Sequence, residues 1–150
     1  MPRSFLTPWL ASAVLLALPA HAQFAKPEAA VKYRKAAFTV MSTHFGRVAA
    51  MASGKAPFDA KSAADNAEIA NAMAKLPFAA FVPGSGTGDT QAEPKIWTET
   101  DKFNAAAKTM QDAMGKLEVA AKGGNLDAIK AAVGETGHSC KACHDTYRKE

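Results

Sequence analysis

A chain of 150 residues, 48% of them hydrophobic and 21% charged, is long enough for one domain with its own core and too short for two sizeable ones. Its formal net charge of +4 is scattered along the sequence rather than gathered into a basic patch. That distribution argues against a nucleic-acid partner and supports no more than mild steering towards acidic surfaces.

Residues 1–22 read as an export signal. Arg3 supplies the positive charge, Trp9 to Leu18 is an apolar run interrupted only by Ser12, and Ala20-His21-Ala22 has the small-x-small cleavage pattern. Cleavage after Ala22 is expected to leave Gln23 first. The apolar run is shorter than the roughly 20 residues a bilayer span needs, so no membrane span is expected in the mature chain. Arg3 is the one charged residue removed, which lowers the net charge from +4 to +3. Residues 23–150 then form a single domain.

Alanine, lysine, methionine and leucine dominate that domain and runs of valine, isoleucine and threonine are missing, which predicts an all-α fold. The first helix is expected from about Pro27 to Ala52, with Val31, Phe38, Met41, Phe45 and Val48 on one stripe. The second runs from a cap at Asp59 to Leu76, with Ile69, Met73 and Leu76 on one side, and Pro77 stops it. Pro77 to Lys95 is a long connection rich in Gly, Pro, Ser and Thr. Its Phe78, Phe81 and Val82 are expected to fold back on the helices, while Gly84 to Gly88 reads as a mobile stretch without chemistry.

The third helix, from about Ile96 to Lys122, carries Phe103, Ala106, Met110, Ala113, Leu117 and Ala120, and Gly123-Gly124 ends it. Asn125 caps the fourth, whose stripe is Leu126, Ile129, Val133, Thr136, Cys140, Cys143 and Tyr147. Gly134 and Gly137 weaken that helix, and a close helix or cofactor contact is one reason for them. Four one-sided helices bury their stripes best as an antiparallel bundle.

Cys140-Lys141-Ala142-Cys143-His144 has the Cys-x-x-Cys-His pattern through which haem c is attached. Three residues of separation put both thiols on one helical face, where each can add to one haem vinyl group. His144 lies one turn beyond Cys140, so its imidazole can bind the iron axially. A thioredoxin-type redox pair would need strands alternating with helices, and none are predicted. Zinc held by Cys140, Cys143, His144 and His138 would have to be wrapped by a single helix. A plain disulfide is the remaining rival, since an exported chain meets an oxidising compartment. One covalent haem c per chain, in a periplasmic protein, is the reading that uses all five residues and the signal together.

A helical chain with this motif near its C-terminus resembles the class II c-type cytochromes, the cytochrome c′ family. The resemblance also rests on Gln-Phe-Ala-Lys-Pro-Glu at residues 23–28, Tyr33-Arg34, His44-Phe45-Gly46-Arg47, Ile96-Trp97 and Tyr147-Arg148-Lys149. It implies a four-helix bundle with a C-terminal haem-attachment helix, and a five-coordinate haem bound by His144 on one side and open to diatomic gases such as nitric oxide and carbon monoxide on the other. In the family a first-helix side chain, commonly Leu, covers the open face. The matching position here is Phe38, a bulkier and flatter lid. Met41, one turn on, is the rival: as a sixth ligand it would make a pure electron carrier working with a redox partner protein, though Met on an amphipathic stripe is usually core filling. Met51, Met73, Met110 and Met114 read as core filling too.

By the same resemblance Arg148, one turn after His144, modulates the proximal pocket; its plain alternative is a solvated charge complementing the helix dipole. Arg34, one turn before Phe38, is placed to reach a haem propionate or to form a surface ion pair. His44 is expected to be exposed. Of the residues spaced around Phe38 only Arg34 is polar, so no acid or base for peroxide chemistry is foreseen and the chain is not expected to be an enzyme. Family members are often homodimers through the first two helices, and Ala49, Ala50 and Ala52 permit that here.

Overall fold

The computed structural model describes residues 23–149, so the export signal read at 1–22 lies outside them. The helices are α1 (Pro27–Ala52), α2 (Ala60–Met73), a short α3 (Lys95–Thr98), α4 (Thr100–Lys122) and α5 (Leu126–Tyr147). The four long ones form an antiparallel bundle in which α1 packs on α2, α2 on α4, α4 on α5 and α5 on α1. Among the described residues no helix is long and apolar enough to cross a membrane.

Local chemistry sets the helix ends. Pro27 starts α1, where its missing N–H costs nothing. Asp59 caps α2 by accepting from the Ser62 amide at 2.6 Å, and Asn125 caps α5 by accepting from Ala128 at 3.0 Å. Two expectations are corrected here. The second helix ends at Met73 rather than Leu76, and a 3₁₀ turn over Leu76–Ala80 carries the chain past Pro77. The expected third helix is broken at Glu99, whose φ of −121° and ψ of 42° interrupt the helical hydrogen-bond ladder between α3 and α4.

The main core is built from Met41, Val48 and Met51 of α1, Met110, Met114 and Leu117 of α4, and Ile129 of α5. Across from them α2 contributes alanines: Ala63, Ala67 and Ala70 are fully buried, with Ala74 just beyond. Of the side expected to face inward, Met73 packs on the core but Ile69 and Leu76 do not. Ile69 and Leu76 are partly exposed, because a helix that presents alanines can approach its neighbours closely enough to bury that face instead. A second, smaller cluster of Ala92, Ile96, Phe103 and Tyr147 sits at the end of the bundle where the 77–95 connection returns. Between α4 and α5 the buried Thr136 hydroxyl donates to Ala113 O at 3.2 Å. Gly134 and Gly137 have no protein atom within 4 Å of where a Cβ would stand, so no close helix contact demands them.

Leu117 is fully buried in the centre of the main core. Leu117→Ala is expected to lower unfolding free energy by about 2–5 kcal/mol in denaturant titration. A second expectation concerns Glu118, which accepts from Lys122 Nζ and from Asn71 Nδ2, the latter tying α4 to α2. These two hydrogen bonds hold its carboxyl below the usual range. A depressed pKa stabilises the fold above the ordinary carboxylate range, and that contribution is lost as pH falls through the lowered value. Glu118→Gln is therefore expected to be less stable than the parent near neutral pH, with the gap in denaturation midpoints closing in acid.

Candidate functional site

The final helix carries the chemistry. Cys140 and Cys143 lie half-buried on its inward side. Cys140 packs against the main core and Cys143 against the smaller cluster, so the two sulfurs border the seam between them. Burial raises both thiols above their usual pKa. His144 stands one turn beyond Cys140 near the helix end, at an open depression shared with Gln91, Asp145, Arg148 and Lys149. Partial desolvation, then the charge of Arg148, lowers its imidazole from the ordinary value, with Asp145 opposing. Neutral imidazole is the form that binds metal.

Aromatic rings line the seam. Phe38 of α1 meets Phe78 edge-on at 5.6 Å between centroids and Phe81 at 6.4 Å. Phe81 and Phe103 pack at 4.9 Å, and Phe103 meets Tyr147 of α5 at 5.3 Å. A continuous layer of rings thus runs from α1 to the end of the cysteine-bearing helix. An apolar, aromatic-walled seam with two thiols and one imidazole at its border fits a planar hydrophobic macrocycle attached through sulfur. Among the described residues no group of three His, Cys, Asp or Glu side chains is arranged to hold a metal ion by itself.

Phe38 is half-buried within this layer, while Met41 is 6% exposed and belongs to the main core. Met51, Met110 and Met114 are buried there too, with Met73 packed at its margin, as filling. Arg34 is buried and, among the described residues, not ion-paired with a carboxylate, which corrects the surface ion pair entertained for it. It is 2% exposed and donates from Nη1 to Ala80 O (3.1 Å) and Ser85 Oγ (2.8 Å), and from Nη2 to Ser85 O (2.7 Å) and Thr90 Oγ1 (2.8 Å). Its guanidinium also lies 4.4 Å from the centroid of Phe81. Burial lowers its pKa, and four neutral oxygens and a ring face take the place of water.

Ser85 is fully buried and accepts twice from Arg34, so the mobility expected of Gly84 to Gly88 is also corrected. Glycines at 84 and 88 supply the positive φ values, 81° and 78°, that let the chain fold around Ser85. His44 is half-buried rather than exposed, its Nδ1 donating to Asn66 Oδ1 of α2 at 2.8 Å. Arg148 is exposed, and its Nε donates to Gln91 Oε1 at 2.9 Å. Sequence reasoning did not single out Ser85 or Thr90 as contributors. The signal for them was Arg34 itself, which falls on the apolar stripe of α1 between Val31 and Phe38 and so demands buried acceptors from elsewhere.

The cytochrome c′ family model matches residues 29–148. The chain is 51% identical over 129 residues to cytochrome c′ of Rubrivivax gelatinosus, covering 85% of this chain and all of that one. The crystal structure of the Rubrivivax protein superposes with a TM-score of 0.82 over the same share of each chain. Cytochrome c′ of Alcaligenes xylosoxidans is similar at 47% identity, and the nitric oxide complex of one of its point mutants superposes with a TM-score of 0.80 over 85% of this chain and 99% of that one. Covalent haem c is the cofactor of this family. If Cys140 and Cys143 are its two anchors, a Cys140→Ser/Cys143→Ser double variant carries none: denaturing mass spectrometry of the exported protein is expected to show the haem adduct on the parent alone.

Proposed function

The chain belongs to the cytochrome c′ family, and from that membership we propose that it is a periplasmic protein whose haem, attached through Cys140 and Cys143 and bound by His144, keeps one axial side open for nitric oxide and carbon monoxide. The bound haem supplies a redox-active iron that takes a diatomic ligand. The chain's own residues decide what reaches it.

The observation that carries this reading is the apolar surrounding of Phe38. Its aromatic neighbours are Phe78 and Phe81, and the buried polar side chain one turn before it on α1, Arg34, spends its terminal N–H groups on the 77–95 segment. Among the described residues the partners of Phe38 are rings and the apolar core, a setting that supports a binding protein rather than an enzyme acting on peroxide. Dioxygen gains most from a distal hydrogen-bond donor, whereas nitric oxide and carbon monoxide depend on one less, so this lid selects for the latter two. Met41 is buried in the core cluster with Met51, Met110 and Met114, which supports reading it as core filling.

A mild positive charge and a haem-bearing helix whose end is exposed at His144 leave electron transfer to a partner protein open as an added role. A homodimer through α1 and α2 accords with Ala49 and Ala50, which are half-buried in the single chain, although Ala52 faces the core.

The resting iron is expected to be high-spin and five-coordinate by absorption spectroscopy, and the reduced protein to take up nitric oxide. A low-spin, Met-ligated resting spectrum sinks the proposal. Phe38→Ala is expected to speed carbon monoxide association by about an order of magnitude, equivalent to roughly 1.4 kcal/mol of barrier; an unchanged rate means that Phe38 is no lid. His144→Ala is expected to abolish the resting spectrum of the parent.

A further inference from the structure

The segment from Pro77 to Lys95 touches both sides of the site. At its near end, Phe78 and Phe81 are the rings packed against Phe38. In its middle, Arg34 grips Ala80, Ser85 and Thr90 with four hydrogen bonds. Ser85 Oγ donates in turn to Val82 O at 2.7 Å, and Trp97 Nε1 donates to the same carbonyl at 3.2 Å. Gly86 lies so close over the Trp97 indole that a Cβ there would stand 2.7 Å from the ring. At the far end the segment pairs with the residues that follow the cysteine motif. Glu93 N donates to Tyr147 O at 2.9 Å, Lys149 N donates to Gln91 O at 2.8 Å, and the Arg148 side chain reaches Gln91.

Thr90 joins the two ends. Its hydroxyl oxygen accepts both from Arg34 and from the Ala92 amide at 3.1 Å, and Ala92 is the residue bridged to Arg148. One side chain on α1 is therefore connected through Thr90 and Ala92 to the end of α5.

We propose that Arg34 is a positioning residue: it latches residues 77–95 as a strap that presses Phe78 and Phe81 onto Phe38 and joins that lid to the end of the helix bearing His144. The backbone of Phe38 is fixed by α1 and one side of its ring rests on the main core, but the two rings packed against it, Phe78 and Phe81, both belong to the strap. Freeing the latch gives those rings room to move and loosens the pairing beyond Tyr147 at the same time. The gas-access half of this proposal rests on Phe38 acting as a lid, as argued above, whereas the latch stands on the contacts themselves.

Thr90→Val and Ser85→Ala test it while leaving Arg34 and the helices in place, with circular dichroism confirming the fold. The first readout is amide hydrogen exchange in the holoprotein. Exchange at Glu93 and Lys149 is expected to quicken by about tenfold in Thr90→Val. Unchanged exchange at both overturns the latch. The second readout is carbon monoxide association with the reduced protein, expected to rise several-fold in each variant but not further when Phe38→Ala is already present. An equal rise in the Phe38→Ala background shows that the strap does not act through the lid. Should the parent itself take up no carbon monoxide, the open iron is refuted, and the exchange experiment still decides whether Arg34 latches the strap.

Discussion

A guanidinium buried inside a helical bundle with no carboxylate beside it is the constraint around which this end of the molecule is arranged. Removing such a charge from water costs several kcal/mol unless fixed dipoles replace the hydration shell. Here the replacement comes from one stretch of chain: Ala80 and Ser85 turn their carbonyls, and Ser85 and Thr90 their hydroxyls, towards Arg34. A backbone that must point those oxygens inward has few paths left, and the positive φ values at Gly84 and Gly88 show where it bends to follow one. The same path delivers Phe78 and Phe81 to Phe38 and Phe103, so a polar requirement ends up building an apolar wall.

That wall explains how a small bundle divides its labour. The half built from Met41, Val48, Met114, Leu117 and Ile129 is an ordinary close-packed core. The other half is assembled from rings contributed by α1, the strap, α4 and α5, meeting edge to face where the two cysteines emerge. The charged groups Arg148, Asp145 and Lys149 cluster instead at the open depression beside His144, where Arg148 and Asp145 act on the imidazole in opposite directions.

Much of this was legible in the residues. The helix-capping roles of Asp59 and Asn125 follow from side-chain chemistry alone, the Cys-x-x-Cys-His pattern marks the family's cofactor, and the spacing of Cys140 and Cys143 marks the inward face of α5. What escaped was tertiary in origin. Periodicity placed Ile69 and Leu76 inward because they are the largest apolar side chains of their segment, yet close approach selected the alanine face. Gly84 to Gly88 looks like a loose linker in one dimension, and only the need of a distant arginine for acceptors gives it a fixed shape. His44 was misplaced for the same reason, since its partner Asn66 sits on another helix.

The alanine face of α2 has a consequence for how this scaffold can vary. Ala63, Ala67 and Ala70 act as a thin spacer, setting the distance between α2 and the rest of the bundle by the size of a methyl group. A bulkier residue at any of them has no empty volume to occupy and must wedge the helices apart. Tolerance to change in this half of the molecule is therefore asymmetric: the thioethers opposite can flex to absorb a loss of bulk, while the shim admits no gain.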